Sequence, residues 1–161
     1  LPWGFGTHPY FRLPLEPGGD PAGCLVQVPA ANQWELVDCL PTGNRLDVDE
    51  NCDLREGCPF DQLQLDHVLT ALKPAADGPL EMAILDERAG LSIRQRCDAG
   101  LFREVVVFTP PGRNAVCLEP YTCVTDAINL DASGETSGWQ VLPPGGRLQA
   151  GIQLFAGAIL V

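Results

Sequence analysis

The chain carries only two histidines, and the first lies in an aromatic, glycine-rich run, "WGFGTHPYFRL". Imidazole titrates near neutrality and is the side chain best suited to giving and taking a proton. Pro9 biases His8 toward extended backbone, so the ring should project from a rigid strand end. Trp3, Phe5, Tyr10 and Phe11 around it would supply flat apolar walls of the kind that stack on sugar rings. The commoner role for such a residue is an inert, hydrogen-bonded histidine in an aromatic core. Glu119, in "VCLEPY", closes an apolar strand pattern just before Pro120, where the chain leaves a sheet and functional side chains concentrate. Beside Tyr121 and apolar neighbours its carboxyl would be pushed up toward the range of a general base. Most glutamates at strand ends simply face solvent. Asp66, in "LQLDHVLTAL", is placed to accept hydrogen bonds from hydroxyls, or equally to cap a turn. His67 follows it, but neighbours on a strand point to opposite faces, so the two need not share a site.

Other chemistries find less support. There are only three serines, at positions 92, 133 and 137, and none lies in a G-x-S-x-G elbow. No glycine loop carries a P-loop lysine. The stretch "DVDENCD" lacks the glycine and the closing glutamate of a calcium loop. Arg55 and Arg113 could hold a carboxylate or phosphate, but their acidic and Pro-Gly surroundings read as ordinary surface. Seven cysteines without a CxxC pair, beside two histidines, make no zinc set. They read as reduced, mostly buried thiols of a cytoplasmic protein. A net charge of −11, with 10 Lys and Arg against 21 acids, leaves no basic patch for nucleic acid or an anionic membrane. The longest apolar run, "LFAGAILV", falls far short of the roughly 20 residues of a membrane span. No basic stretch followed by an apolar one marks a signal peptide.

The elements that must position these residues are short. At 161 residues the chain is about one domain long. Frequent glycine and proline cut it into segments at 23–28, 33–40, 80–87, 90–98, 102–110 and 114–121 that read as strands. The pair 80–87 and 90–98 reads as a hairpin, with Leu91, Ile93, Gln95 and Cys97 on one face. Segments 102–110 and 114–121 are joined by a "PPGR" turn. The closing "RLQAGIQLFAGAILV" alternates and then becomes apolar. Residues 60–72 are the one stretch compatible with a helix, although Leu63, Leu65 and Leu69 keep no clean helical period. Strands at this spacing with almost no helical pattern predict an all-β, mostly antiparallel sandwich or barrel.

Taken in order, "GFGTHPYFRL", "PTGNRLDV…CPFD", "LDHVLTAL", "VVVFTPPGRNAVCLEPYTCVTDAINL" and "GWQVLPPGGRLQAGI" resemble the C-terminal half of the aldose 1-epimerases, the galactose mutarotases. The resemblance implies a supersandwich of two large antiparallel sheets, here a partial one, with residues 1–161 forming the C-terminal part of a single domain. It implies interconversion of the α and β anomers of a free hexose such as galactose or glucose. In those terms His8 is the general acid toward the ring oxygen and Glu119 the general base toward the C1 hydroxyl. Asp66 binds a sugar hydroxyl, and no metal or cofactor takes part; Tyr10, among the aromatic walls beside His8, is the other expected substrate-binding residue. The resemblance further implies a preceding N-terminal segment that contributes another histidine and an arginine, and "LPW" opens in mid-pattern accordingly. A hexose-6-phosphate 1-epimerase, which needs a cluster of cations, and a non-catalytic carbohydrate-binding relative are the alternatives. The catalytic assignment requires His8 and Glu119 to face each other across a gap sized for one pyranose ring.

Overall fold

The computed structural model describes residues 1–76 and 78–159. The strands run β1 (Pro2–Trp3), β2 (Tyr10–Arg12), β3 (Cys24–Gln27), β4 (Ala30–Val37), β5 (Leu40–Asp47), β6 (Cys58–Pro59) and β7 (Asp66–Leu72). They continue with β8 (Leu80–Asp86), β9 (Leu91–Cys97), β10 (Glu104–Phe108), β11 (Ala115–Tyr121), β12 (Gln140–Val141) and β13 (Ile152–Ala158). One short helix, α1 (Ala127–Ala132), lies between β11 and β12. The main sheets are a six-stranded one in the order β2-β11-β10-β7-β4-β5 and a five-stranded one in the order β13-β9-β8-β3-β6. Their pairings are antiparallel, and β1 and β12 form a separate two-stranded ladder. The all-β antiparallel expectation therefore holds.

Alternation builds the core. Leu69, Val105, Val107, Val116 and Leu118 point from the six-stranded sheet, while Val26, Leu80, Met82 and Ile84 point from the other, into one buried cluster. Phe102, fully buried, fills it from the loop before β10. The opposite face of the six-stranded sheet is not left to solvent. Trp34 and Val68 pack there against Val124, Ala127 and Leu130 of the segment around α1. That second, smaller cluster ties the chain beyond Glu119 back across the sheet.

Two expectations need correction. Residues 60–72 contain no α-helix: a single 3-10 turn at Phe60–Gln62 leads into β7. Val68 and Thr70 favour a strand, and the leucine spacing follows the pleat. The segment expected as one strand over 33–40 instead ends at Val37, and the chain reverses at once, because Val37 pairs with Leu40. Asp38 and Cys39 hold φ of 51° and 64°, the pattern of a two-residue type I′ hairpin in which glycine usually occupies the second place. With Cys39 there the turn is invisible in the sequence, and so was β5. β5 is an edge strand, which also explains why it tolerates Pro41. The hairpin at 80–98 and the two strands around "PPGR" form as expected. β13 supplies the alternating end of the chain, while Leu160 and Val161 lie outside the described residues.

Candidate active site

Register decides which side chains meet on the outer face of the six-stranded sheet. Directly opposed residues of an antiparallel pair share a face. Glu119 on β11 opposes Val106 on β10, which opposes Val68 on β7. One step along, Tyr10, Cys117, Phe108 and Asp66 make a second row across β2, β11, β10 and β7. Two side chains far apart in sequence, Asp66 and Glu119, thus open on the same surface. His67 is one position off and falls on the other face, as its neighbour relation predicted; its Nδ1 accepts the backbone N–H of Asp66 at 3.1 Å.

His8 reaches this surface through the segment ahead of β2. Phe5 N–H donates to Thr122 Oγ1 at 3.0 Å, and Thr122 N–H donates to the Phe5 carbonyl at 2.9 Å. Gly6 bridges to Tyr121. A Cβ at Gly6 would stand 2.4 Å from the Tyr121 ring, so only glycine allows the approach. Between that bridge and the Tyr10–Cys117 pair, β2 leaves β11 unpaired at residues 118–120. Pro120, which has no N–H to donate, falls in this gap, and the same gap lets residues 7–9 swing His8 over Glu119.

His8 Nδ1 lies 3.0 Å from Glu119 Oε1. The imidazole stacks on Tyr10 at 5.0 Å between centroids, with an interplanar angle of 5°, and meets the edge of Phe108 at 6.3 Å. The Tyr121 hydroxyl donates to Glu119 Oε2 at 3.0 Å. Glu119 Oε1 is buried and sits off the line of any hydrogen bond, so Oε2 is held by the Tyr121 hydroxyl while Oε1 faces the imidazole. The Glu119 carboxyl is 1 % exposed. Burial pushes its pKa up, the Tyr121 hydrogen bond and the His8 charge pull it down, and the charge of Asp66 raises it again. Tyr121 is itself pushed up to about 12 by burial and by Glu119, so it remains a hydrogen-bond donor.

A cavity of about 280 Å³ opens over this group. Asp66, His8, Glu119 and Tyr121 line it together with Phe108, Val106, Val68, Leu36, Cys39 and Thr125. Three of the four expected site residues, His8, Glu119 and Asp66, therefore share one cavity. Tyr10 does not line it; its ring backs the imidazole instead. Trp3 and Phe5 also stand elsewhere, Trp3 in the β1–β12 ladder and Phe5 against Phe102 at 6.3 Å. The apolar wall is Phe108, which sequence reasoning missed although its even spacing from Val106 carried the signal. The expected gap between acid and base is absent, since the two groups touch. A ring-wide gap is not required by the chemistry: the C1 hydroxyl and the ring oxygen of an aldose are bonded to the same carbon, and both can be met from one side.

Two further groupings had no signal in the sequence. Cys117 stands beside the pair, so that His8, Cys117 and Glu119 offer ligand atoms within 4.8 Å of one another. Glu104, on the same sheet face opposite Tyr121, is buried and accepts the Trp34 indole N–H at 3.0 Å. Burial pushes its carboxyl up to about 7 against the hydrogen bonds of Thr70 and Trp34 and the charges of Arg45 and Arg103. Arg45 lies 4.1 Å above the Trp34 ring and donates to the Thr136 carbonyl, which locks the indole from its far side. All seven cysteines are free thiols, and Cys39 is the exposed one. Among the described residues no helix is long and apolar enough to cross a membrane.

The fold recurs in solved structures. A galactose mutarotase-like protein from Clostridium acetobutylicum superposes with a TM-score of 0.85 at 20% identity, over 99% of this chain and 48% of its own. An aldose epimerase homologue from C. elegans gives 0.74 at 18% identity, over 98% of this chain and 52% of that one. A galactose mutarotase-like protein from Lactobacillus casei gives 0.64 at 16%, over 98% and 54%. The chain thus spans about half the length of these proteins. The sequence model of one family, aldose 1-epimerase, matches residues 1–154, and the chain belongs to the aldose 1-epimerase family.

Proposed function

We propose that the chain carries the acid–base centre of an aldose 1-epimerase acting on a free hexose. The observation that carries this reading is the 3.0 Å contact of His8 Nδ1 with Oε1 of the buried Glu119, both residues lining one cavity. Glu119 Oε1 takes the proton of the C1 hydroxyl while His8 delivers one to the ring oxygen, and the C1–O5 bond breaks to give the open aldehyde. Rotation about C1–C2 presents the other carbonyl face. Closure returns the proton from the O5 hydroxyl to His8 and from Glu119 to O1, so both groups end as they began. A carboxyl raised by burial stands nearer the pH at which a base works best. Asp66, at the exposed rim, accepts hydrogen bonds from ring hydroxyls, and Phe108 offers the sugar's apolar face a flat surface. Tyr10 supports His8 without touching the sugar.

A preceding segment of the same fold would add further sugar contacts, in keeping with relatives about twice as long; residues 1–161 then form the C-terminal part of one domain. The test is anomer exchange by saturation-transfer NMR with galactose, glucose and glucose 6-phosphate. Exchange above buffer is expected with a free hexose, and Glu119→Gln or His8→Ala should each lower it by about 10²–10⁴-fold. A folded chain that binds sugar without exchange would leave a carbohydrate-binding protein. Exchange that survives both variants would remove the acid–base assignment.

A further inference from the structure

We propose that His8, Cys117 and Glu119 form a site for one thiophilic divalent cation, Zn²⁺ or its spectroscopic substitute Co²⁺, beside the cavity. Cys117 and Glu119 are two apart on β11 and so share a face, and the segment before β2 brings His8 onto them from outside. One nitrogen, one sulfur and one carboxylate oxygen lie within 4.8 Å of one another. Bonds of 2.0–2.3 Å in a tetrahedral zinc site put donors about 3.3–3.8 Å apart. The Nδ1–Oε1 edge, at 3.0 Å, is already that short, and the longest edge needs to close by about 1 Å, within reach of side-chain rotation. Three protein donors with a fourth position left to water is the pattern of an open zinc site.

Glu119 Oε1 is buried and accepts no hydrogen bond, its near neighbour being His8 Nδ1 at 3.0 Å, off the line of one, so an ion between the two would give that oxygen the partner it lacks. Its partner oxygen is held by the Tyr121 hydroxyl, and the imidazole is clamped between Tyr10 and Phe108. Such outer contacts orient ligands before an ion arrives. Thiolate and imidazole together select Zn²⁺, Co²⁺ or Cd²⁺ over Mg²⁺ and Ca²⁺. The ion would engage both groups assigned to proton transfer, so it acts as a reversible inhibitor of exchange. Its binding does not depend on sugar turnover.

The experiment is a Co²⁺ titration of the full chain, kept reduced, followed by the thiolate-to-cobalt charge-transfer band in the near ultraviolet. One equivalent should saturate the band, and Zn²⁺ should displace it. Cys117→Ser should abolish it and Cys39→Ser should retain it. Because Cys117 is buried, His8→Ala provides the second test. Outer contacts alone are worth 10–100-fold in metal affinity, so loss of a ligand should weaken binding by at least about tenfold. Absence of a stoichiometric band, or a band unchanged in both Cys117→Ser and His8→Ala, overturns the site. A cobalt band in a chain that exchanges no sugar would uphold the site while defeating the epimerase reading; exchange without a band would do the reverse.

Discussion

Glu104 offers a quantitative test of how this face of the sheet is held together. The carboxyl is 3 % exposed and its pKa is pushed from 4.5 up to about 7, chiefly by burial. Below pH 4.5 the acid is neutral in both the folded and unfolded chain, and folding is not opposed. As pH rises toward 7 the unfolded chain ionises first, so the folded state binds more protons and stability falls. Above 7 both are ionised and the penalty is constant. Each pKa unit is worth about 1.4 kcal/mol, so the full penalty is roughly 3 kcal/mol. Glu104→Gln keeps a carbonyl oxygen for the Trp34 indole N–H and removes the charge. Urea unfolding at pH 4 and pH 8 should show wild type losing roughly 3 kcal/mol more than the variant across that interval. With slopes of about 1–3 kcal/mol/M, this corresponds to a midpoint difference of about 1 M or more. Taking the difference between the two proteins cancels the pH response of the other acids. If both lose stability in parallel, burial is not raising this carboxyl and the reasoning fails.

Tyr121→Phe removes the hydrogen bond that draws the Glu119 carboxyl downward. The base then ionises at higher pH, and the acid limb of kcat/KM for anomer exchange should move upward, with activity lost more at pH 6 than at pH 8; an unchanged limb would show that the phenol does not tune the base. Phe102→Ala deletes the largest fully buried ring at the junction of the two sheets. It should cost about 3–5 kcal/mol in chemical denaturation, and a loss below 1 kcal/mol would mean that the loop before β10 repacks freely.

The alternating segments at 80–98 and 102–121 were legible in the sequence because a strand buried on one face writes its own period. His8, Glu119 and Asp66, which line one cavity, were legible as candidates because each sits beside a proline or an apolar run that fixes its direction. The β4–β5 reversal was not, since Asp38 and Cys39 adopt φ values usually signalled by glycine. Nor was α1, whose single short turn is too brief to show a helical period. Tertiary structure alone decided that Cys117 stands within ligand distance of His8 and Glu119, and that Phe108, rather than Trp3 or Phe5, walls the cavity. It also set the direct contact of His8 and Glu119, through a gap in the β2–β11 ladder that no local pattern records. Periodicity fixes which face a residue takes; which residues meet on that face depends on strand order and register, and those are set by packing across the whole sheet.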